Sequence, residues 1–124
     1  LSMPTNTLII ELQAKQKLLA GRFRQGFLQR DHAVFQFNFK TQEAFYLIID
    51  GADLDLLPGY HPQPTINLYI DNHATCWGLI NGEVDGMEAF LQGQYRADGN
   101  IVLSQLLLYL FRSHDSTIAY EVQD

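Results

Sequence analysis

Four histidines, one cysteine and a run of aspartates are the residues of this 124-residue chain with chemistry to offer. His32, His61, His73 and His114 fall in four separate connections, and no two stand at the i, i+4 spacing that puts two metal ligands on one helix face. A meeting of His61 with His73, which lies beside Asp71, would need a tertiary contact that spacing does not dictate. Asp50, Asp53 and Asp55 lack the glycine and closing glutamate of a calcium loop, and Asp53 and Asp55 alternate with Leu54 and Leu56 as the wet side of a strand does. Cys76 adjoins Trp77 in an apolar setting with no base nearby in sequence, which reads as a small buried hydrophobe. No Gly-x-Ser-x-Gly elbow, phosphate-cradling glycine loop or dinucleotide fingerprint occurs; the glycines of "GADLDLLPG" have the wrong spacing and precede no helix. No catalytic residue, no metal ligand and no cofactor is therefore assigned.

The elements that hold these residues follow from apolar spacing. Thr7 to about Gln29 places Leu8, Leu12, Leu19, Phe23 and Phe27 on one helical face, with Gly21 and Gly26 as points where the helix divides or stops early. The period then becomes two: in "VFQFNF" Phe35, Phe37 and Phe39 share a face against Gln36 and Asn38. "EAFYLIID" and "ADLDLL" continue an antiparallel meander, and "TINLYID" is a fourth strand behind the proline-rich loop "PGYHPQP". "NHATCWGLING" predicts a helix capped by Asn72 and stopped by Gly82. "DGMEAFLQG" predicts another, with Asp85 and Glu88 as a capping box and Gly93 as its stop. "QYRAD" is a fifth, edge-like strand, and Asp98-Gly99-Asn100 turns it into a last helix, Ile101 to Phe111.

Composition bounds what such a chain can be. It has 47% hydrophobic and 18% charged residues, which is globular, and 124 residues make one domain, 1–124, with 1–6 expected as a disordered or added leader. A single cysteine excludes an internal disulfide and makes a reducing, cytoplasmic setting the default expectation. The longest apolar run, "LLLYLF", is far below the about 20 residues a spanning helix needs, and no secretory leader is evident. Net charge is −6, and five of the eight basic residues lie within the first thirty positions, so the body is acidic and no nucleic-acid partner is expected. The basic first helix offers Lys15, Lys17, Arg22 and Arg24 for transient contact with an anionic membrane surface, beside the plainer reading of a solvated face.

What remains is an excess of large apolar side chains on elements that face one another. A packed core accounts for any one of them; a lined cavity accounts for their number. An alkyl chain burying ten methylenes gains about 8 kcal/mol before ordering costs, enough for useful affinity without a polar anchor. The last helix, apolar nearly all round, needs cover on more than one side, and a sheet supplies only one.

The stretch Ala74 to Phe111 resembles the sterol carrier protein 2 (SCP2) sterol-binding domain family: a helix ending at Gly82, an acidic turn at Asp85, Ala89 and Phe90 ahead of Gly93, a strand, then Gly99-Asn100 into a leucine-rich helix. The preceding helix and four strands match that layout more loosely. The resemblance implies an α+β fold with a five-stranded, mainly antiparallel sheet covered by about four to five helices, and an apolar tunnel between them that takes sterols, fatty acyl chains or isoprenoid tails without catalysis. The lining expected is Phe35, Phe37 and Phe39 from the sheet, Trp77, Ile80 and Phe90 from the middle helices, and Leu103, Leu106, Leu107, Leu110 and Phe111 from the last. The alternative is an interaction or homodimerisation module that uses the last helix while side chains fill the tunnel.

Overall fold

Thr5 opens the fold. Its Oγ1 accepts from the Leu8 N–H at 3.1 Å and so caps helix α1, Asn6–Ala20, in the computed structural model, which describes residues 5–24, 26, 28 and 30–111. Of the expected leader, Thr5 and Asn6 thus belong to the folded unit, and residues 1–4 lie outside the described ones. The helix expected to reach about Gln29 stops at Ala20: Gly21 is a poor helix residue, and its N–H turns back to the Leu19 carbonyl. Phe27 and Gln29 of that expectation lie outside the described residues, as does His114.

Five strands form one sheet in the order β3-β2-β1-β4-β5, with β1 His32–Asn38, β2 Phe45–Asp50, β3 Asp53–Pro58, β4 Ile66–Ile70 and β5 Tyr95–Gly99. The meander β1-β2-β3 is antiparallel throughout, β5 lies antiparallel at the edge, and only β4 runs parallel to the strand beside it, β1. Register fixes which side chains share a face: Phe35 stands between Leu47 and Ile66, and Phe37 between Phe45 and Leu68. These residues, with Ala33, Ile49, Leu54, Leu56, Ile70 and Tyr95, make the buried inner face. Asp53 and Asp55 point to water, as their alternation with Leu54 and Leu56 predicts.

The outer face is closed in one place by a polar staple. Gln36, 2% exposed, donates from Nε2 to the carbonyls of Gly59 at 3.0 Å and Phe45 at 3.3 Å, and its Oε1 accepts from the His61 N–H at 2.8 Å. The proline loop is thereby pinned over β1 and β2, where the His61 ring meets Tyr46 edge-on at 5.2 Å. At the other margin, α1 runs along β3: Leu8, Leu12 and Leu19 are buried, and Gln16 Oε1 accepts from the Leu56 N–H at 2.9 Å, so this edge strand is not left bare.

Helix α2, His73–Asn81, is capped by Asn72, whose Oδ1 accepts from the Thr75 N–H, and it ends at Gly82 in the left-handed region at φ 88°. Asp85 caps α3, Gly86–Leu91, by accepting from Met87 N–H and Glu88 N–H. The reciprocal half of the expected capping box is replaced: Glu88 Oε1 accepts from Gln92 Nε2 one turn on. Gly99, at φ 115°, turns β5 into α4, Ile101–Leu110, which Asn100 caps through the Leu103 N–H.

Candidate functional site

The half of the inner face under α2 is filled by aromatic rings. Phe45 stacks on Trp77 at 5.0 Å with 8° between the planes, and both Phe37 and Phe39 stand 5.2 Å from Phe45. His73 closes the group edge-on to Phe39 at 4.6 Å, and Lys15 Nζ lies 5.2 Å from the Trp77 ring centre. Phe35, Phe37 and Ile80 are at most 1% exposed and belong to the core beneath. The indole N–H of Trp77 is buried without an acceptor, the one such side-chain atom among the described residues.

The other half, under α3 and α4, is different. Helix α4 rests on β4, β5 and α2, and buries Leu103, Ser104, Leu107 and Leu110. Phe111, just past its end, is fully buried against Phe23, with ring centres 5.6 Å apart. Leu106 is only half-buried, while Ile101 and Val102 are each 65% exposed. The cover that an all-round apolar helix calls for is therefore incomplete among the described residues. Met87 at 66%, Phe90 at 55% and Leu91 at 76% extend the exposed apolar surface onto α3.

Between these helices and β5 lies an apolar cleft of about 220 Å³. Phe90 and Met87 form its α3 side, Tyr95 and Ala97 its β5 side, and Ile101 and Leu108 its α4 side. The helices approach closely here because Gly86 lacks a side chain: a Cβ on it would stand 2.5 Å from Leu108 Cδ1. Ser104 also reaches the cleft, but its Oγ donates to the Ile101 carbonyl at 2.7 Å, so its polar atom is already satisfied. A second, more open cavity of about 510 Å³ adjoins the first through Phe90 and Tyr95, and is bordered by Phe39, Lys40, Asp71 and Arg96.

Of the expected lining, Phe90 borders both cavities and Phe39 the larger, while Trp77 borders a third, on the α1–α2 side. Phe35, Phe37, Ile80, Leu103, Leu106, Leu107, Leu110 and Phe111 border none of the three. Ile101, Gln105 and Leu108, which do face the cleft, stand at i, i+4 and i+7. That stripe was legible in the sequence beside the Leu103–Leu107–Leu110 stripe, and the latter points to the core.

The groups with reactive potential stay apart. His61 lies on the outer side of the sheet against Tyr46, whereas His73 is on the inner side, its Nε2 2.7 Å from the Glu43 carbonyl and its Nδ1 3.9 Å from Glu11. The Nε2 contact requires that nitrogen to carry the proton, since a carbonyl only accepts. His32 sits 3.9 Å from Asp50 at the exposed end of β1. Burial, with a smaller push from the Glu11 carboxylate, raises the Cys76 thiol well above its ordinary range, which disfavours the thiolate a nucleophile needs. Burial likewise raises Tyr95, whose hydroxyl reaches the Ser104 carbonyl at 3.5 Å. Among the described residues no three His, Cys, Asp or Glu side chains gather as a metal site, and no helix is long and apolar enough to cross a membrane.

No protein-family model and no curated protein matches the sequence. Solved structures do match by shape. A structure described as the UbiJ-SCP2 ubiquinone synthesis protein is 16% identical with a TM-score of 0.66, over 88% of this chain and 93% of that one. The palmitated SCP2L2 from Aedes aegypti is 22% identical with a TM-score of 0.57, over 90% of this chain and 97% of that one. The inverting sec-alkylsulfatase Pisa1 from Pseudomonas sp. is 19% identical with a TM-score of 0.65, but the match covers 80% of this chain and only 16% of the sulfatase. At these identities the likeness is one of architecture: the five-stranded mixed sheet with its four helices has the fold of the sterol carrier protein 2 domain.

Proposed function

We propose that this chain is a non-enzymatic lipid-binding protein that takes the apolar tail of a fatty acyl, isoprenoid or sterol ligand between its sheet and its helices. The observation that carries this reading is the apolar cleft between β5 and α4, opening beside exposed Met87, Phe90, Leu91, Ile101 and Val102. Surface of this kind is costly to leave in water unless something apolar covers it for part of the time. Phe90 stands at the mouth in this reading and Ile101 and Leu108 are the α4 wall behind it, while Leu103, Leu106 and Leu107 join the lining only when α4 moves. Phe35, Phe37, Phe39, Trp77, Ile80, Leu110 and Phe111 are the deeper lining, which a ligand meets when α4 lifts from β4 and β5. Absence of catalysis is supported by the disfavoured Cys76 thiolate and by the separation of His61 from His73 across the sheet. The palmitated neighbour supports the ligand class by fold alone.

The test is organic extraction of the purified protein followed by lipid mass spectrometry, together with titration of a fluorescent fatty acid. Co-purified lipid or saturable uptake is expected; the absence of both overturns the reading. The same exposed rim favours one second reading, in which it covers a partner or a second copy of the chain. Leu91→Glu separates the two, because Leu91 is 76% exposed and lines neither cavity. Light scattering that shows a wild-type dimer dissolved by this change, with no lipid uptake in either protein, favours the interface.

A further inference from the structure

We propose, building on the lipid-binding reading, that the ligand is a single-chain amphiphile with an anionic head, seated with its head on Lys40 and Arg96 and its tail in the cleft under α4. Beyond Arg30 the chain has three basic residues, Lys40, Arg96 and Arg112, against thirteen acidic ones, and two of the three border one cavity. A concave wall focuses what field they produce.

Topology explains the meeting. Strands β1 and β4 run parallel, so the chain leaves both at the same end of the sheet, Lys40 just past β1 and Asp71 just past β4. Strand β5 runs antiparallel and begins at that end, where Arg96 pairs with Tyr69, itself paired with Asn38. The backbones of β1 and β5 are two strand spacings apart, about 10 Å, a gap that two long cationic side chains share across one carboxylate or phosphate. Arg96 is not a loose cation, since its guanidinium lies 4.7 Å from the Tyr69 ring centre, which orients the planar group. Asn38 is already committed, donating from Nδ2 to Asn67 Oδ1 and the Leu68 carbonyl. Asp71 is the one acidic residue on this cavity wall and opposes an anion there.

The cavity with the cations and the cleft without them share Phe90 and Tyr95. Register puts Arg96 and Tyr69 on the outer face with Asn38, and Tyr95 and Ala97 on the inner face, so a ligand rounds the end of the sheet past Phe90 and Tyr95, its charged end at the carboxyl ends of β1 and β4 and its alkyl end against Ala97, Ile101 and Leu108. The cleft, at about 220 Å³, is below the about 300–1,000 Å³ of ordinary ligand pockets, which fits one alkyl segment rather than a ring system. The shared chemistry is an anionic head on one chain; a carboxylate and a phosphate monoester, the latter carrying the greater charge, are its two sources.

Displacement of a fluorescent fatty acid by hexadecanoate, methyl hexadecanoate and hexadecyl phosphate, each below its aggregation limit, tests this. Wild-type protein is expected to bind hexadecanoate about tenfold tighter than the ester, from two partly exposed ion pairs worth about threefold each and more when they share one anion. The phosphate arm shows which anion is held better. In Lys40→Gln/Arg96→Gln the gap closes to about twofold while ester affinity is unchanged; Arg96→Lys keeps most of it. Asp71→Asn widens the gap, and Lys17→Gln, on α1, leaves it alone. Equal binding of acid and ester by wild type, or a gap that survives in the double variant, overturns the head-group assignment while leaving lipid binding intact. No displacement by any of the three overturns the lipid reading itself.

Discussion

Replacing Ala97 by leucine should strengthen the fold slightly and weaken the proposed lipid site strongly. Ala97 is half-buried on β5, opposite Leu68 in the β4 register, and its side chain borders the cleft under α4. At about 30 Å³ for a water-sized group, a cleft of about 220 Å³ has room for about seven methylenes. Each buried methylene contributes about 0.8 kcal/mol, so a tail that fills the cleft gains about 5–6 kcal/mol before ordering costs. Leucine adds three carbons to alanine. If these occupy the cleft, a bound tail loses about three methylenes of burial, or about 2.4 kcal/mol, a drop of about fiftyfold in affinity.

The same three carbons fill space in the free protein, and a leucine on a half-buried strand face suits the backbone, so thermal stability should hold or rise. Opposite signs for stability and binding separate this outcome from a general loss of structure. The assay is displacement of a fluorescent fatty acid by saturated carboxylates of increasing length. For wild type, affinity should rise about fourfold per methylene and level off once about seven are buried; for Ala97→Leu it should level off about three carbons earlier. Identical affinity and an identical plateau in the two proteins would refute the placement of the tail between β5 and α4.

Three other changes probe what holds the site in place. Gln36→Leu removes the acceptor for the His61 N–H and the donor to the Gly59 and Phe45 carbonyls; it should cost about 2 kcal/mol, lower the melting temperature by about 6–12 °C, and expose the 59–64 loop to proteolysis. Asn100→Ala deletes the cap of α4 and should cost about 1 kcal/mol by chemical denaturation, with a larger proportional loss of ligand affinity than of stability because α4 borders the cleft. Burial raises both Cys76 and Tyr95 above their ordinary values of 9.0 and 10.0, so the native state holds these protons more tightly than the unfolded chain does. Their contribution is intact below pH about 9 and is lost as pH climbs beyond it; denaturation midpoints should fall above that pH, less so in Cys76→Ala, and Cys76 should resist thiol reagents until the protein unfolds.

The elements best read from sequence are those decided within a few residues. Asn72, Asp85 and Asn100 act as caps, and Gly82, Gly93 and Gly99 all take positive φ, because a short polar side chain or a missing Cβ settles the matter locally. What was hidden depends on partners far along the chain. Alternation in "VFQFNF" marks Gln36 as a solvent-side residue, yet it is 2% exposed because a loop 23 to 25 residues away folds onto it. The parallel pairing of β4 with β1 likewise leaves no mark in either strand, though it brings Lys40 and Asp71 to one end of the sheet. Phe90 reads as buried by its type and is 55% exposed, since α3 is only six residues long and the ring borders two open cavities instead of packed side chains.

The proposed lipid-binding function rests on the β4-β5 side of the sheet. The β1-β2-β3 half is spoken for: the Phe37–Phe45–Trp77 group fills the space beneath α2, α1 secures β3 through Gln16, and Gln36 binds the outer loop. Only the β4-β5 half, under α3 and α4, combines an apolar hollow with large apolar side chains that nothing among the described residues covers. A cleft and a tunnel differ there by whether α4 stays seated. If it stays, chain-length dependence ends near seven methylenes, and a sterol nucleus is refused. If ligand lifts α4 from β4 and β5, the dependence runs well past ten carbons as Leu103, Leu107 and Leu110 exchange their contacts with the sheet for contacts with the tail. That exchange is nearly neutral, apolar surface for apolar surface, so its cost falls on the ordering of ligand and helix rather than on desolvation. Amide hydrogen exchange in α4 reads the difference directly: unchanged protection with bound hexadecanoate means a cleft, and altered protection confined to Ile101–Leu110 means a tunnel that the ligand itself opens.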